Sequence, residues 1–309
     1  MTKIFIELPS WLGDTLMATP AIENLTMHFS DTELTLLGSE VSIEVFKEHP
    51  RVVKTYISDK KIINFHKQSR AFGEFDIMFS FRNSFRSKYL KFLISSKKKY
   101  QFNKNIYINQ HQVEKYNDFV NDSLKINYVP GTLKLHFKKN EKKSTTRILG
   151  INPGASYGSA KRWYPEEFAK VAIHLSDNYD IVILGGPKEK NIAADIEKIL
   201  INNNVKNYNN LAGKTSISSL ISEIGKLDLM ITGDSGPMHI SAALQIPTVS
   251  IFGPTDDSET SQWKNENSFI VKKNLACQPC MKRVCPLQHH DCMRMVKSKD
   301  VLDGVALIS

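Results

Sequence analysis

Two acids and a lysine stand where chemistry is easiest to build, in polar loops that directly follow apolar runs. In "IFIELPSWLGDTLMATPAI" the pair Gly13-Asp14 follows one such run, and in "LMITGDSGPMHISAAL" Asp234 follows another. Between them Lys161 lies in "LGINPGASYGSAKRW". A carboxylate can take the proton of a hydroxyl that grows acidic as its oxygen attacks. A lysine can meet the charge of a departing phosphate. Small residues ahead of a helix let backbone N–H groups approach an anion, and the helix N-terminus adds partial positive charge. "GDSGPMH" has that form, with Pro237 suited to a first helical turn and Gly236 just before it. Ser235 and Gly236 can cradle a diphosphate. An ionised Asp234 only accepts hydrogen bonds and repels phosphate, so it suits sugar hydroxyls.

Each residue also has a plainer reading. Lys161 and Arg162 can be a surface pair flanking a buried Trp163. Glu189, after the Gly185-Gly186 turn, can accept from ribose hydroxyls or simply start the next helix, where the dipole favours an acid. His239 fits a core or capping histidine as well as a ligand contact. Asp14 before "TLMA" fits a helix N-cap. Thr19-Pro20 offers a second helix start, and a helix begun at Asp14 would have to absorb Pro20. Both starts remain open.

The elements that must position these residues alternate. "KIFIEL", "ELTLLG" and "FDIMFSF" read as buried strands in the first half, and "RILGIN", "DIVILGG", "LDLMITG" and "PTVSIFG" in the second. Amphipathic stretches such as "PEEFAKVAIHL" and "NIAADIEKIL" separate them, so both halves read as α/β with parallel sheets. The expectation is two Rossmann-like domains facing each other across a cleft, residues 1–146 and 147–309, joined at the polar segment 138–146. In such sheets ligands bind beyond the carboxyl ends of the strands. Four second-half loops of unusual composition fall there, which favours a nucleotide-type ligand.

Charge divides the halves. The net +9 comes almost entirely from the first, and no acid occurs from Ile77 to Val113 while Arg82, Arg86, Lys88, Lys91, Lys97, Lys98, Lys99 and Lys104 do. A one-signed patch suits an anionic partner. Phe81, Phe85, Tyr89 and Phe92 within it recur at helical spacing, which reads as a core face and speaks against a base-stacking platform and a nucleic-acid partner. No apolar run approaches the roughly 20 residues that cross a bilayer. The N-terminus carries no secretory pattern, so the expected compartment is the cytoplasm.

Four segments, "PSWLGDTLMATPAI", "RNSFRSK", "NPGASYGSAKRW" and "GDSGPMHISAALQIPTVSIFGPT", resemble the ADP-heptose–lipopolysaccharide heptosyltransferases of glycosyltransferase family 9, most closely the heptosyltransferase II branch. The resemblance implies a GT-B fold whose first domain binds acceptor and whose second binds ADP-heptose. It implies inverting, metal-independent transfer onto an inner-core heptose of nascent lipopolysaccharide, on the inner face of the inner membrane. Asp14 falls at the general base, and Lys161 at the lysine on the diphosphate. Asp234 falls at the acid on the donor sugar, with Ser235, Gly236 and His239 completing that loop. Glu189 aligns with a ribose-binding glutamate, and Ser156 joins the donor set with its loop. Ser10, Gly13, Asn83, Ser84 and Arg86 fall where acceptor contacts are expected. The branches that add a first or third heptose are the alternatives, followed by a GT-B sugar-nucleotide epimerase, which would not need the basic first half.

All four cysteines cluster in "CQPCMKRVCPLQHHDC": Cys277, Cys280, Cys285 and Cys292. They read as structural thiols with no cofactor needed for catalysis. The spacing also accommodates a structural zinc, or less readily an iron–sulfur cluster, and a reducing compartment disfavours disulfides.

Overall fold

The computed structural model describes residues 1–59, 62–137 and 146–308. The chain divides into two compact units, Met1–Lys138 and Lys139–Ser309. The polar segment read as the joint lies, apart from Thr146, outside the described residues.

Unit 1 runs β1 (Thr2–Glu7), α1 (Leu12–Met17), α2 (Thr19–His28), β2 (Thr32–Gly38), α3 (Glu40–Val45), β3 (Val52–Ile57), α4 (Ile62–Ser69), β4 (Glu74–Ser80), α5 (Phe85–Leu93), β5 (Ser95–Gln101) and α6 (Gln112–Leu124). Its five strands form one parallel sheet in the order β3-β2-β1-β4-β5. Ile4, Phe5 and Ile6 are fully buried, because a central parallel strand is covered on both faces. Phe5 packs on Phe72 and Phe75 at ring separations of 5.3 and 5.1 Å. The edge strand β5, "SSKKKYQ", is one that hydrophobic pattern alone misses. Lys97 and Lys98 are exposed, as suits an edge that must not pair with another chain.

Two helices form here, but neither is capped by the residue the sequence offered: α1 starts ahead of Asp14, and Thr19 is the first residue of α2, not its cap. Trp11 is the N-cap of α1, Ala18 separates the helices, and Pro20 stands in the first turn of α2, where its missing N–H costs nothing. Asp14 is therefore not an N-cap. It lies in the first turn of α1, where the dipole favours an anion.

Unit 2 runs β6 (Arg147–Asn152), α7 (Pro165–Leu175), β7 (Tyr179–Ile183), α8 (Lys190–Asn202), β8 (Tyr208–Asn210), α9 (Ile217–Ile224), β9 (Leu229–Gly233), α10 (Gly236–Ala243), β10 (Thr248–Ile251), α11 (Asp257–Thr260), β11 (Ser268–Val271), α12 (Asp291–Arg294) and α13 (Ser298–Ile308). Six parallel strands lie in the order β11-β10-β9-β6-β7-β8. Trp163 is buried at 1% exposure against Phe168, and its indole N–H donates to the Val296 carbonyl at 3.0 Å. That anchor fixes the end of the loop that carries Lys161.

In each sheet the order reverses once, between β1 and β4 in unit 1 and between β6 and β9 in unit 2. The loops leaving the carboxyl ends of those strand pairs diverge to opposite faces and open a crevice. The chain beyond those strand ends carries Asp14, in the first turn of α1, and Asn83 in the first sheet, and Lys161 and Asp234 in the second.

Candidate functional site

In unit 2 the loop after β6 and the loop after β9 meet through side chains. Asn152, the last residue of β6, donates from its amide to Ser235 Oγ at 3.1 Å and Thr232 Oγ1 at 3.2 Å. This ties the N-cap of α10 to the neighbouring strand. Ser235 has extended dihedrals and its hydroxyl makes no capping bond, so the first turn of α10 is not closed by its own N-cap side chain. Lys161 Nζ donates to Asp234 Oδ2 at 2.5 Å, and Thr255 Oγ1 donates to the same oxygen at 2.6 Å. The lysine also rests over the Tyr157 ring, 4.7 Å from its centre. The sequence treats Lys161 and Asp234 as separate contacts, one for phosphate and one for sugar. The fold pairs them, so the lysine cancels the negative charge that would otherwise repel an anion at the α10 N-terminus.

Glu189 closes a short 3₁₀ turn at Pro187–Glu189 and is the N-cap of α8, yet its side chain does not cap that helix. It is buried at 6% exposure in a seat made by glycines. A β-carbon on Gly154 would stand 2.1 Å from Glu189 Cγ, and one on Gly186 would stand 2.8 Å from Glu189 Oε2. Arg162 Nη2 lies 3.8 Å from Glu189 Oε1, and among the described residues no hydrogen-bond donor reaches that buried oxygen. A carboxylate without a full set of donors in a glycine-lined seat is poised for hydroxyls. His239 is buried at 3% in α10, whereas Ser156 is exposed on the loop ahead of Lys161.

In unit 1 the predicted acceptor residues gather at the carboxyl ends of β1 and β4, with unequal roles. Asp14 and Gly13 are half-buried in α1. The Tyr116 hydroxyl is held well above its ordinary value by burial and then by the Asp14 charge, which places that carboxylate close by. Ser10 is exposed and its carbonyl accepts from Ser39 Oγ at 3.0 Å. Asn83 is exposed, with its amide 3.5 Å from Asn103 Oδ1. Ser84 is the N-cap of α5, accepting from the Ser87 N–H at 3.1 Å, so its hydroxyl serves the helix. The Arg86 guanidinium stacks over Phe65 at 4.1 Å, and among the described residues its buried Nε and Nη2 have no hydrogen-bond acceptor. Burial, followed by repulsion from Arg82, lowers its pKa from the ordinary guanidinium value.

Sequence reasoning missed Glu7. It is the last residue of β1, only 2% exposed, and accepts from Ser80 Oγ at 2.5 Å and Ser87 Oγ at 3.0 Å, with Arg82 Nη1 at 3.7 Å. It joins β1, β4 and α5 at the point where Arg82 and Arg86 emerge. The only signal was a lone acid inside an apolar strand. Burial, partly offset by Ser80 and Arg82, raises its pKa above the ordinary 4.5. The folded chain therefore keeps this proton to a higher pH than the unfolded chain. The Glu7 contribution to stability is most favourable below 4.5 and declines as pH rises through the folded-state value. Glu7→Gln is expected to remove that decline from urea-unfolding free energies measured between acidic and neutral pH. An unaltered slope would mean that Glu7 titrates like an exposed carboxylate.

Among the described residues one trio has ligand atoms all within 4.8 Å of one another: Glu23, His49 and His136. Glu23 Oε1 is 2.8 Å from His136 Nε2 and 3.3 Å from His49 Nε2. His49 Nδ1 accepts the Arg51 N–H at 3.2 Å, which assigns its proton to Nε2, facing the carboxylate. A metal would need that lone pair, so the trio is a Glu23–His136 hydrogen bond with the His49 ring set against the same carboxylate, not a ligand set. Burial raises the Glu23 pKa, but the two imidazoles outweigh it and leave the carboxyl below its ordinary 4.5.

Comparison with known proteins converges. The family profile of Glycosyltransferase family 9 (heptosyltransferase) matches residues 67–290. A lipooligosaccharide heptosyltransferase 2 of Campylobacter jejuni subsp. jejuni serotype O:2 is 45% identical, over 97% of this chain and 96% of its own. A second, from serotype O:6, is 43% identical over 99% of both chains. The solved Escherichia coli ADP-heptose lipopolysaccharide heptosyltransferase II superposes with a TM-score of 0.84 at 20% identity, covering 99% of this chain and 98% of that one. An E. coli heptosyltransferase solved with ADP superposes at 0.80 and 15% identity, over 99% and 100%. The two parallel sheets with their helices are those of the GT-B heptosyltransferase fold.

Proposed function

The chain belongs to glycosyltransferase family 9, the heptosyltransferases, and on that premise we propose that it transfers heptose from ADP-heptose to an inner-core heptose of lipopolysaccharide or lipooligosaccharide, with inversion and without a catalytic metal. The observation that carries the donor assignment is the Lys161–Asp234–Ser235 arrangement at the switch point of the second sheet. In this reading the diphosphate sits at the open first turn of α10 with Lys161 beside it, a cation and a helix N-terminus meeting the charge of the leaving ADP. The ribose hydroxyls donate to Glu189 Oε1. Asp14 takes the acceptor hydroxyl proton as its oxygen bonds to the anomeric carbon and the bond to ADP breaks on the opposite face.

The deciding assay supplies ADP-heptose with core acceptors carrying zero, one or two heptoses. Transfer confined to the one-heptose acceptor supports the heptosyltransferase II reading. Transfer to the heptose-free acceptor alone would assign the chain to the branch that adds the first heptose.

An acceptor anchored in lipid calls for a surface that meets the cytoplasmic face of a membrane, and α5 supplies one. Phe85 and Phe92 were expected on a core face, yet each is 81% exposed. They are seven residues apart, two turns on one side of the helix, with exposed Lys88 between them. Phe81, which follows β4, is the aromatic that enters the core. Phenylalanines reaching from a basic helix suit an anionic bilayer surface, where apolar insertion and charge attraction add. No described helix is long and apolar enough to cross a membrane. The double substitution F85S/F92S is expected to weaken sedimentation with phosphatidylglycerol vesicles at least tenfold, leaving turnover of a delipidated acceptor near normal. Undiminished vesicle binding would sink this assignment.

A further inference from the structure

The charges on the donor loops are nearly balanced before any ligand arrives. Lys161 is matched by Asp234, and Arg162 stands 3.8 Å from Glu189. A diphosphate brings an ionised oxygen on each phosphorus, and a helix N-terminus sets only about half a charge against them. A further cation is therefore called for, and the fold brings one to the Lys161 loop. Arg283 is exposed, and among the described residues no carboxylate pairs with it. Its guanidinium lies over the Tyr157 ring, 5.4 Å from the centre, and Lys161 Nζ lies over the same ring at 4.7 Å. The ring attracts both cations while they repel each other, and an anion within reach of both relieves that repulsion.

Arg283 belongs to the segment between β11 and α12, remote from Lys161 in sequence, and main-chain contacts fix it beside that loop. Ala160 N–H donates to the Arg283 carbonyl at 3.1 Å, and Tyr157 OH donates to the Met281 carbonyl at 2.8 Å. The Met281 N–H donates to the Pro254 carbonyl at 2.8 Å, one residue before Thr255, which holds Asp234 Oδ2. Residues 281–283 thus bridge the two loops whose side chains meet on Asp234. Met281 has a φ of +55°, a left-handed conformation that a non-glycine residue keeps only where its surroundings impose it. A β-carbon on Gly158 would stand 2.2 Å from the Arg283 carbonyl oxygen, so only glycine lets the two loops come this close. The same segment carries Cys277, Cys280 and Cys285, which with Cys292 line a small cavity bordered by Ala160, none of them in a disulfide.

We propose that Arg283 is a second cation of the donor site, binding the diphosphate of the nucleotide sugar together with Lys161, and that Tyr157 is the positioning residue for both. The inference rests on the donor reading above and deepens it. A guanidinium presents two parallel N–H groups to a pair of phosphate oxygens, which an ammonium does not. Lys161 is committed to Asp234, so Arg283 supplies the net positive charge that attracts the diphosphate. Tyr157 offers its face to both cations, and its hydroxyl ties the ring to the segment that carries Arg283.

The test is calorimetry on the full chain with ADP and with adenosine, which lacks the phosphates, at low and at physiological salt. Arg283→Ala is expected to weaken ADP binding about tenfold, the usual loss for a hydrogen-bonded charge, and to make it less sensitive to salt. Adenosine binding should stay within about twofold, and the urea midpoint should not move, because the side chain is exposed. Arg283→Lys should recover part of the ADP affinity, since it restores the charge without the fork. Tyr157→Leu should weaken ADP binding as well, with Tyr157→Phe restoring most of it by returning the ring. ADP affinity unchanged in Arg283→Ala would overturn the assignment. An equal loss for adenosine would overturn it too, by showing that the substitution displaces the loop. Normal ADP affinity in Tyr157→Leu would overturn the positioning role. Wild-type protein that binds no ADP at all would instead sink the donor reading, and is told apart from the other outcomes by the wild-type titration alone.

Discussion

Asp14→Asn is expected to reduce heptose transfer by about 10²–10⁴-fold, the usual contribution of a positioned general base, while ADP-heptose binds within about twofold of the wild type. The substitution is close to isosteric. Trp11, not Asp14, is the N-cap of α1, so the helix keeps its start and loses a favourable charge in its first turn. That loss is worth about 0.3–1 kcal/mol, too little to unfold the unit. Turnover measured by ADP release, with donor affinity by calorimetry and unfolding by denaturant, separates chemistry from binding and stability. Near-normal turnover would leave Asp14 as a stabiliser of its helix and move the base elsewhere.

The second large effect is expected at Lys161. Lys161→Ala should lower kcat/KM by about 10²–10³-fold, the range for loss of one preorganised charge-stabilising group. It should also destabilise unit 2. Asp234 is 5% exposed and shares its Oδ2 between Lys161 and Thr255, so the variant leaves a buried carboxylate with one neutral donor on that oxygen. Breaking such a buried pair costs about 3–5 kcal/mol, the lower end applying here because the lysine retains some contact with solvent. The double variant K161A/D234N should recover much of the stability and none of the activity. That non-additivity identifies the pair as one unit. If the double variant is no more stable than K161A, the two side chains act independently and the charge-cancelling role is wrong.

Much of the architecture was legible because parallel strands covered on both faces read as continuous apolar runs. "IFIEL", "LMITG" and "TVSI" need no partner to declare themselves. The loops that follow them were legible for a related reason: ligands gather beyond the carboxyl ends of such strands, so Asp14, Lys161 and Asp234 stood out by position as well as type. The edge strand β5 was not legible, because it carries three lysines in place of an apolar run and its pairing with β4 is a non-local fact. The outward turn of Phe85 and Phe92 was also hidden. Helical spacing shows that two side chains share a face, and says nothing about whether that face meets the core or water.

The sequence by itself determined the fold class, the family and the identity of the residues carrying charge at the switch points, since each depends on residue type and local order. Tertiary structure alone decided how those residues are used. It paired Lys161 with Asp234 across 73 positions of chain, buried Glu7 against Ser80 at the same separation, and brought four thiols around one cavity behind the Lys161 loop. It also moved the first helix cap from Asp14 to Trp11. The physical reason is common to all of them. A side chain's charge state and partners are set by what the fold brings within a few ångströms and by how much water it excludes, and neither is written in spacing along the chain.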